Sequence, residues 1–154
     1  MAALRPNFAM AALLLVCGTR GQEACDGAGP PPATAQCTAA HDIFIAFDTT
    51  INDNPLHHDG LTALLNTIVG AYELGATATG PRIALLRYDN SAQIIADLTD
   101  SAASLSDAIA NRQPSTGTET CIYCALETAQ EAIESSDRPE SRKVILLLIE
   151  NYAV

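Results

Sequence analysis

The stretch 42–52, Asp-Ile-Phe-Ile-Ala-Phe-Asp-Thr-Thr-Ile-Asn, decides the fold. Its apolar part, 43–47, is rich in β-branched and aromatic side chains and has polar residues on both sides. A run that is apolar on both faces is typical of a central strand in a sheet covered by helices. The run ends abruptly at Asp48, and the oxygen-bearing side chains of Thr50 and Asn52 follow. Ligands of open α/β sheets bind beyond the carboxyl ends of the strands, so we predict a site at this point.

Helix and strand patterns follow in turn after this first strand. Apolar residues at helical spacing predict a helix over about 59–74, and Gly75 is a natural stop. The segments 82–88 and 93–98 are then predicted as two strands. Their connection is too short for a crossover, so the second strand is expected to be antiparallel and to lie at the edge of the sheet.

Two further helices and a last strand complete the pattern. The spacing of Ser104 and Asp107 fits a capping box and predicts a short helix to about Asn111. A second helix is predicted over 121–135, and a buried strand over 143–150. The order βα-ββ-αα-β favours a three-layer, Rossmann-like α/β sandwich with a mainly parallel sheet and one antiparallel edge strand.

The composition is that of an acidic globular protein. The chain has 154 residues, 48% of them hydrophobic, and a formal net charge of −10, which together indicate one domain with a real core. Its eight Lys and Arg residues are scattered and form no basic patch, which argues against nucleic-acid binding.

The N-terminus predicts export. Arg5 precedes an apolar segment, 8–17, that is too short to span a bilayer, and small residues precede a predicted cleavage after Gly21. We therefore predict a signal peptide over 1–21, a Pro- and Gly-rich linker over 22–40 and a folded domain from 41 onward. The protein is expected to be secreted or extracellular, with contact to a membrane only through the export signal.

The cysteines fit an oxidising compartment. Loss of Cys17 with the signal peptide leaves four, an even number that suggests disulfides. Three connectivities are possible, and the two local pairs, Cys25–Cys37 and Cys121–Cys124, are favoured. The second pair stands at a predicted helix start, so a redox role is an alternative to a plain disulfide.

Several oxygen-bearing side chains meet at one edge of the sheet if the first and last strands are adjacent and parallel. Carboxylate, hydroxyl and amide oxygens suit Mg²⁺, Ca²⁺ or Mn²⁺ better than Zn²⁺ or copper. The residues at this edge are Asp48, Thr50, Asn52, Thr118, Thr120 and Glu150.

In motif order, the folded part of the chain resembles a von Willebrand factor A domain. The family's first strand ends in Asp-x-Ser-x-Ser, which is matched by Asp-Thr-Thr-Ile-Asn at 48–52. Its Gly-Thr-x-Thr motif, which opens a helix with Ala-Leu soon after, is matched by Gly-Thr-Glu-Thr at 117–120 and Ala-Leu at 125–126. The strand 143–148 resembles the strand that ends in Thr-Asp-Gly in the family, and Ile-Glu-Asn at 149–151 stands in that place.

The resemblance implies a metal-ion-dependent adhesion site (MIDAS). By analogy with the family, Thr50 and Asn52 would bind the cation directly and Thr118 directly or through water. Asp48 and Glu150 would act mostly through water. An open coordination position would take a carboxylate from a partner protein, so the expected function is an exported, non-enzymatic protein-binding or adhesion module that uses Mg²⁺, Mn²⁺ or Ca²⁺.

The chain also departs from the family pattern. Thr50 preserves the hydroxyl of the family's Ser, but Asn52 replaces a Ser, Glu150 an Asp and Asn151 a Gly, so the site is expected to be degenerate. In the family the sheet continues beyond the strand that here ends at Glu150. The resemblance therefore implies that the domain over 41–154 is C-terminally truncated.

Two alternatives stay open. An α/β hydrolase or phosphotransferase would use Asp48 as its nucleophile, although acid hydrolases of that architecture have a second Asp two positions on, where Thr50 stands. The pair His57-His58 also offers metal ligands, but adjacent histidines in a polar loop are usually solvated.

Overall fold

The computed structural model describes residues 40–50, 55–113, 115, 117 and 119–149. The predicted signal peptide (1–21) and almost all of the predicted linker (22–40) lie outside these residues. Seven elements follow in chain order: β1 (His41–Asp48), α1 (Pro55–Gly70), β2 (Arg82–Tyr88), β3 (Ala92–Thr99), α2 (Ala102–Ala110), α3 (Ile122–Glu134) and β4 (Arg142–Leu148).

In the described part of the chain, the four strands form one sheet in the order β3-β2-β1-β4. β1 pairs in parallel with both β2 and β4, and only β3 runs antiparallel, beside β2. This confirms the prediction of a mainly parallel sheet with one antiparallel edge strand. All eight residues of β1 are buried, as expected for the central strand.

Helices cover the sheet on both faces, so the fold has three layers. Odd-numbered residues of β1 face α1 and α2, and the even-numbered Phe44 and Ala46 face α3. The first core consists of Ile43, Ile45, Phe47, Leu65, Val69, Ile83, Leu85, Leu105 and Ile109. The second consists of Phe44, Ala46, Ala84, Leu86, Tyr88, Ala125 and Ala129.

The first helix lies about four residues earlier than predicted. α1 ends at Gly70, where short-range backbone bonds such as Tyr72 N to Val69 O (3.2 Å) tighten its last turn. The apolar spacing misled the prediction because Tyr72 and Leu74, in the following turn, pack against the same core. Gly75, with a φ of 74°, serves that turn and does not end the helix.

The predicted cap of α2 was wrong by one turn. Ser101, not Ser104, is the N-cap, and its side chain accepts the amide of Ser104 at 3.2 Å. The Ser104 hydroxyl donates back to Ser101 Oγ at 3.0 Å. Ser101 and Ser104 are three residues apart and each fits an N-cap, but the earlier cap lets the helix begin at Ala102, ahead of the buried Leu105 and Ile109.

Asp42, at the amino-terminal end of β1, is the centre of a buried ionic cluster. Its side chain is fully buried and accepts hydrogen bonds from Arg82 (3.0 Å), Arg138 (2.8 Å) and Lys143 (2.6 Å). Burial alone would raise the pKa of Asp42, but the bonds from Arg82, Lys143 and two serine hydroxyls outweigh it and hold the pKa far below its usual range. The cluster joins β1, β2 and β4 at the edge opposite the predicted site.

Within the residues described, none of the three helices has the length and apolar character needed to cross a membrane.

Candidate functional site

The candidate site lies at the carboxyl end of β1, around a nearly buried Asp48. One carboxylate oxygen, Oδ1, accepts hydrogen bonds from the amide of Thr50 (2.9 Å) and from its hydroxyl (2.7 Å). The other, Oδ2, accepts the hydroxyl of Thr120 at 3.1 Å. The two threonine hydroxyl oxygens are 3.4 Å apart. Two segments separated by 70 residues therefore bring their oxygen atoms together at one point.

This donor set fits a hard divalent cation. A threonine hydroxyl that donates its proton to Asp48 keeps oxygen lone pairs with which it can bind a metal. Hydroxyl and carboxylate oxygens are the ligands that Mg²⁺, Mn²⁺ and Ca²⁺ prefer. Among the described residues no three His, Cys, Asp or Glu side chains cluster as metal ligands, so hydroxyls dominate the described part of the site.

Only part of the predicted ligand set falls on described residues. Asp48 and Thr50 lie where the sequence predicted them. Asn52, Thr118 and Glu150 are outside the described residues, and their assignments stay predictions.

The structure adds Thr120 to the site. Sequence reasoning placed Thr120 at this edge of the sheet but did not assign it as a ligand. Thr120 immediately precedes Cys121, the N-cap of α3. That position, in the loop before a helix, is the signal by which the sequence placed Thr120 at this edge of the sheet.

Tyr88 connects the strand ends beneath the site. Its backbone oxygen accepts both the amide (2.9 Å) and the hydroxyl (3.1 Å) of Thr49. Its phenol crosses β1 and donates to the backbone oxygen of Leu148 at 2.9 Å. Burial, and then the charge of Asp48, raises the pKa of Tyr88, so the phenol stays protonated and keeps donating. The end of β4, two residues before Glu150, is thereby fixed relative to Asp48.

The other candidate groups are placed as follows. The sulfur atoms of Cys121 and Cys124 are at bonding distance in the first turn of α3, and Cys121 Sγ accepts the amide of Cys124 at 3.2 Å. Cys25 and Cys37 lie outside the described residues. His57 and His58 lie in α1, which begins at Pro55. The prediction that they belong to a polar loop was therefore wrong.

A protein-family model and several solved structures are similar to this chain. A model of the von Willebrand factor type A domain matches residues 50–150. No curated protein matches the sequence. Among solved structures, proximal thread matrix protein 1 from the mussel byssus, with a zinc-occupied MIDAS motif, is 28% identical and superposes with a TM-score of 0.63. The matched region is 73% of this chain and 29% of that one.

A second similar structure shows the fold alone. The von Willebrand factor domain of the type V pilus tip protein Mfa5 from Porphyromonas gingivalis is 23% identical, with a TM-score of 0.57 over 70% of this chain and 36% of that chain. The present chain thus covers about a third of the length of either solved chain.

Proposed function

Because this chain belongs to the von Willebrand factor type A domain family, we propose that it is an exported, non-enzymatic adhesion module that binds a partner protein at the carboxyl edge of its sheet. Domains of this family are in general interaction modules that bind a divalent metal at the MIDAS. The observation that carries the proposal is the convergence of Asp48, Thr50 and Thr120, with hydroxyl-to-carboxylate distances of 2.7 and 3.1 Å. This cluster of hydroxyl and carboxylate oxygens supports the proposal, because a divalent cation prefers such ligands.

The residues proposed to hold the cation combine described and sequence-predicted positions. The cation supplies a positive centre that attracts a carboxylate of the partner protein. Mg²⁺, Mn²⁺ or Ca²⁺ suits these oxygen ligands, and the zinc in the MIDAS motif of the mussel protein makes Zn²⁺ a fourth ion to test. The proposed set is Asp48, Thr50, Asn52, Thr118, Thr120 and Glu150.

Extracellular location is part of the proposal. It is supported by the signal-peptide pattern at 1–21, by the even number of cysteines that remain after cleavage, and by the similarity to a matrix protein of the mussel byssus. The partner is proposed to be another extracellular protein that presents an acidic side chain.

Removing the Thr50 hydroxyl is expected to weaken cation binding. In Thr50→Ala we expect the dissociation constant for Mn²⁺, measured by isothermal titration calorimetry, to rise at least about tenfold, because one oxygen ligand and one bond to Asp48 are lost. Thr50→Ser keeps the hydroxyl and is expected to bind as the wild type does. Thr67→Ala is the matched control, since its exposed hydroxyl bonds only its own helix in α1.

Equal affinity in Thr50→Ala, Thr50→Ser and the wild type would contradict a site at Thr50. The enzymatic alternative is tested on the same samples with generic phosphoester substrates. Turnover that disappears in Asp48→Ala would replace the binding module with a hydrolase or phosphotransferase.

Shortening Glu150 is expected to strengthen cation-dependent binding of an acidic peptide. A Glu reaches about 1.5 Å further than the Asp of the family pattern, one carbon–carbon bond, and metal–oxygen distances are about 2.0–2.6 Å. Glu150 can therefore replace a bridging water and occupy the position meant for the partner. Titration of Glu150→Asp with Mn²⁺, with and without the peptide, measures this. Unchanged cation and peptide binding would show that Glu150 does not occupy the site.

A further inference from the structure

The residues on either side of Thr120 are hydrogen-bonded to Asp89 and Asn90, which directly follow β2. The backbone oxygen of Asp89 accepts the amide of Cys121 at 2.7 Å, immediately after Thr120. The carboxylate of Asp89 accepts the hydroxyl of Ser115, which in turn accepts the amide of Gly117 at 2.8 Å. The bond from Ser115 is the main cause that lowers the pKa of Asp89, so the acceptor is a carboxylate at neutral pH.

Asn90 forms a second hydrogen bond to this loop. Its side-chain oxygen accepts the amide of Glu119 at 2.8 Å, one residue before Thr120. Gly117 packs so closely on this pair that an added Cβ would lie 2.7 Å from Asp89 Cβ and 2.8 Å from Asn90 Oδ1. Asp89 and Asn90 thus accept hydrogen bonds from the residues directly after and directly before Thr120.

We propose that Asp89 and Asn90 are positioning residues of the cation site: they hold Ser115, Gly117 and residues 119–121 so that the Thr120 hydroxyl reaches Asp48. This rests on the proposed function. Both residues lie in the short connection between β2 and β3, and neither is among the proposed ligands. Metal ligands must be held to within about 0.5 Å of their working geometry, and an exposed threonine in a loop needs outside support for that.

The test removes the side-chain contacts without touching a proposed ligand. Ser115→Ala deletes the hydroxyl that Asp89 accepts, and Asn90→Ala deletes the oxygen that accepts the Glu119 amide. We expect each variant to raise the Mn²⁺ dissociation constant about tenfold, the effect of losing an outer partner of a metal site. Ser115→Thr retains a hydroxyl and is expected to restore binding. Ser101→Ala is the control, because it removes a helix cap in α2, far from the site.

A second readout does not depend on the cation. In the wild type the Thr50 and Thr120 hydroxyls are 3.4 Å apart, so nuclear Overhauser contacts between the two side chains report the position of the loop. We expect these contacts to disappear in Ser115→Ala and Asn90→Ala and to persist in Ser101→Ala.

The two readouts separate the failure of this inference from that of the proposed function. If the wild type binds no Mn²⁺, the cation site is wrong, and the Overhauser contacts alone decide whether Asp89 and Asn90 position Thr120. Contacts that persist in both loop variants overturn the inference. Affinities that fall no more than in Ser101→Ala, while the wild type does bind Mn²⁺, overturn it as well.

Discussion

The Asp42→Asn variant is expected to lose about 3–5 kcal/mol of unfolding free energy, the cost of breaking a buried ion pair from one side. Asp42 is fully buried and accepts charged hydrogen bonds from Arg82, Arg138 and Lys143. An amide in its place removes the charge that the mostly buried Arg138 and Lys143 face, and it leaves Arg82 with the ion pair to the exposed Asp137. Urea unfolding followed by circular dichroism measures the loss.

Asp97→Asn is the matched control for this substitution. Asp97 is also a strand aspartate, but it is exposed on β3, so the variant is expected to stay within about 0.5 kcal/mol of the wild type. A similar loss in both variants would show that the buried cluster contributes no more than an exposed acid.

The pH dependence of this contribution follows from the lowered pKa of Asp42. A group whose pKa is lower in the folded state adds stability above its unfolded value of about 3.9, and that stability is lost as the pH falls through the folded value. Since the folded value lies far below the usual range, the stability difference between wild type and Asp42→Asn is expected to be constant from pH 7 to about 5. It should shrink as the solution is made more acidic than about pH 4.

The largest functional effect outside the proposed ligands is expected from Gly117→Ala. The new Cβ would lie 2.7 Å from Asp89 Cβ, close to the backbone of β2, so the loop rather than the strand must move. Thr120 moves with the loop, and we expect the Mn²⁺ dissociation constant to rise toward a hundredfold, the upper end for support of a metal site. Calorimetric titration measures it.

Gly60→Ala is the control for Gly117→Ala. Gly60 lies inside α1 with open space around the missing side chain, so alanine is expected to stabilise the fold by about 0.5–1 kcal/mol and to leave Mn²⁺ affinity unchanged. Wild-type affinity in Gly117→Ala would mean that the loop accommodates a side chain without moving Thr120.

The fold could be predicted because its signals are local. The fully apolar run 43–47 identified the central strand, and the short connection between 82–88 and 93–98 identified the antiparallel edge. The family resemblance also implied that 82–88 and 93–98 lie on one side of 43–47 and 144–149 on the other, and the order β3-β2-β1-β4 confirms this. The ends of the helices were less predictable. Tyr72 fits both a helix and the turn after it, and Ser104 fits both an N-cap and a first helical turn, so packing decides between the two positions.

The candidate site could be predicted only in part, because its supports are distant in sequence. Asp48 and Thr50 were identified from their position after the central strand. The bond from Thr120 to Asp48 spans 72 residues, and no periodicity reports such a contact. The Asp42 cluster was missed for the same reason: Arg82 and Lys143 lie 40 and 101 residues away, and the sequence shows Asp42 only as a boundary of an apolar run.

The central strand, β1, has an aspartate near each end, and the two aspartates bind different kinds of side chain. At the amino-terminal end, Asp42 faces arginine and lysine groups that belong to the chain and cannot diffuse away. At the carboxyl end, about 20 Å along the strand, the donors to Asp48 within the described residues are the neutral groups of Thr50 and Thr120. The function proposed above supplies a positive charge at that second end with a cation from solution. Under the proposed function, a chelator is expected to abolish cation-dependent binding of the partner and to leave the melting temperature of the fold unchanged, because the charges around Asp42 belong to the chain.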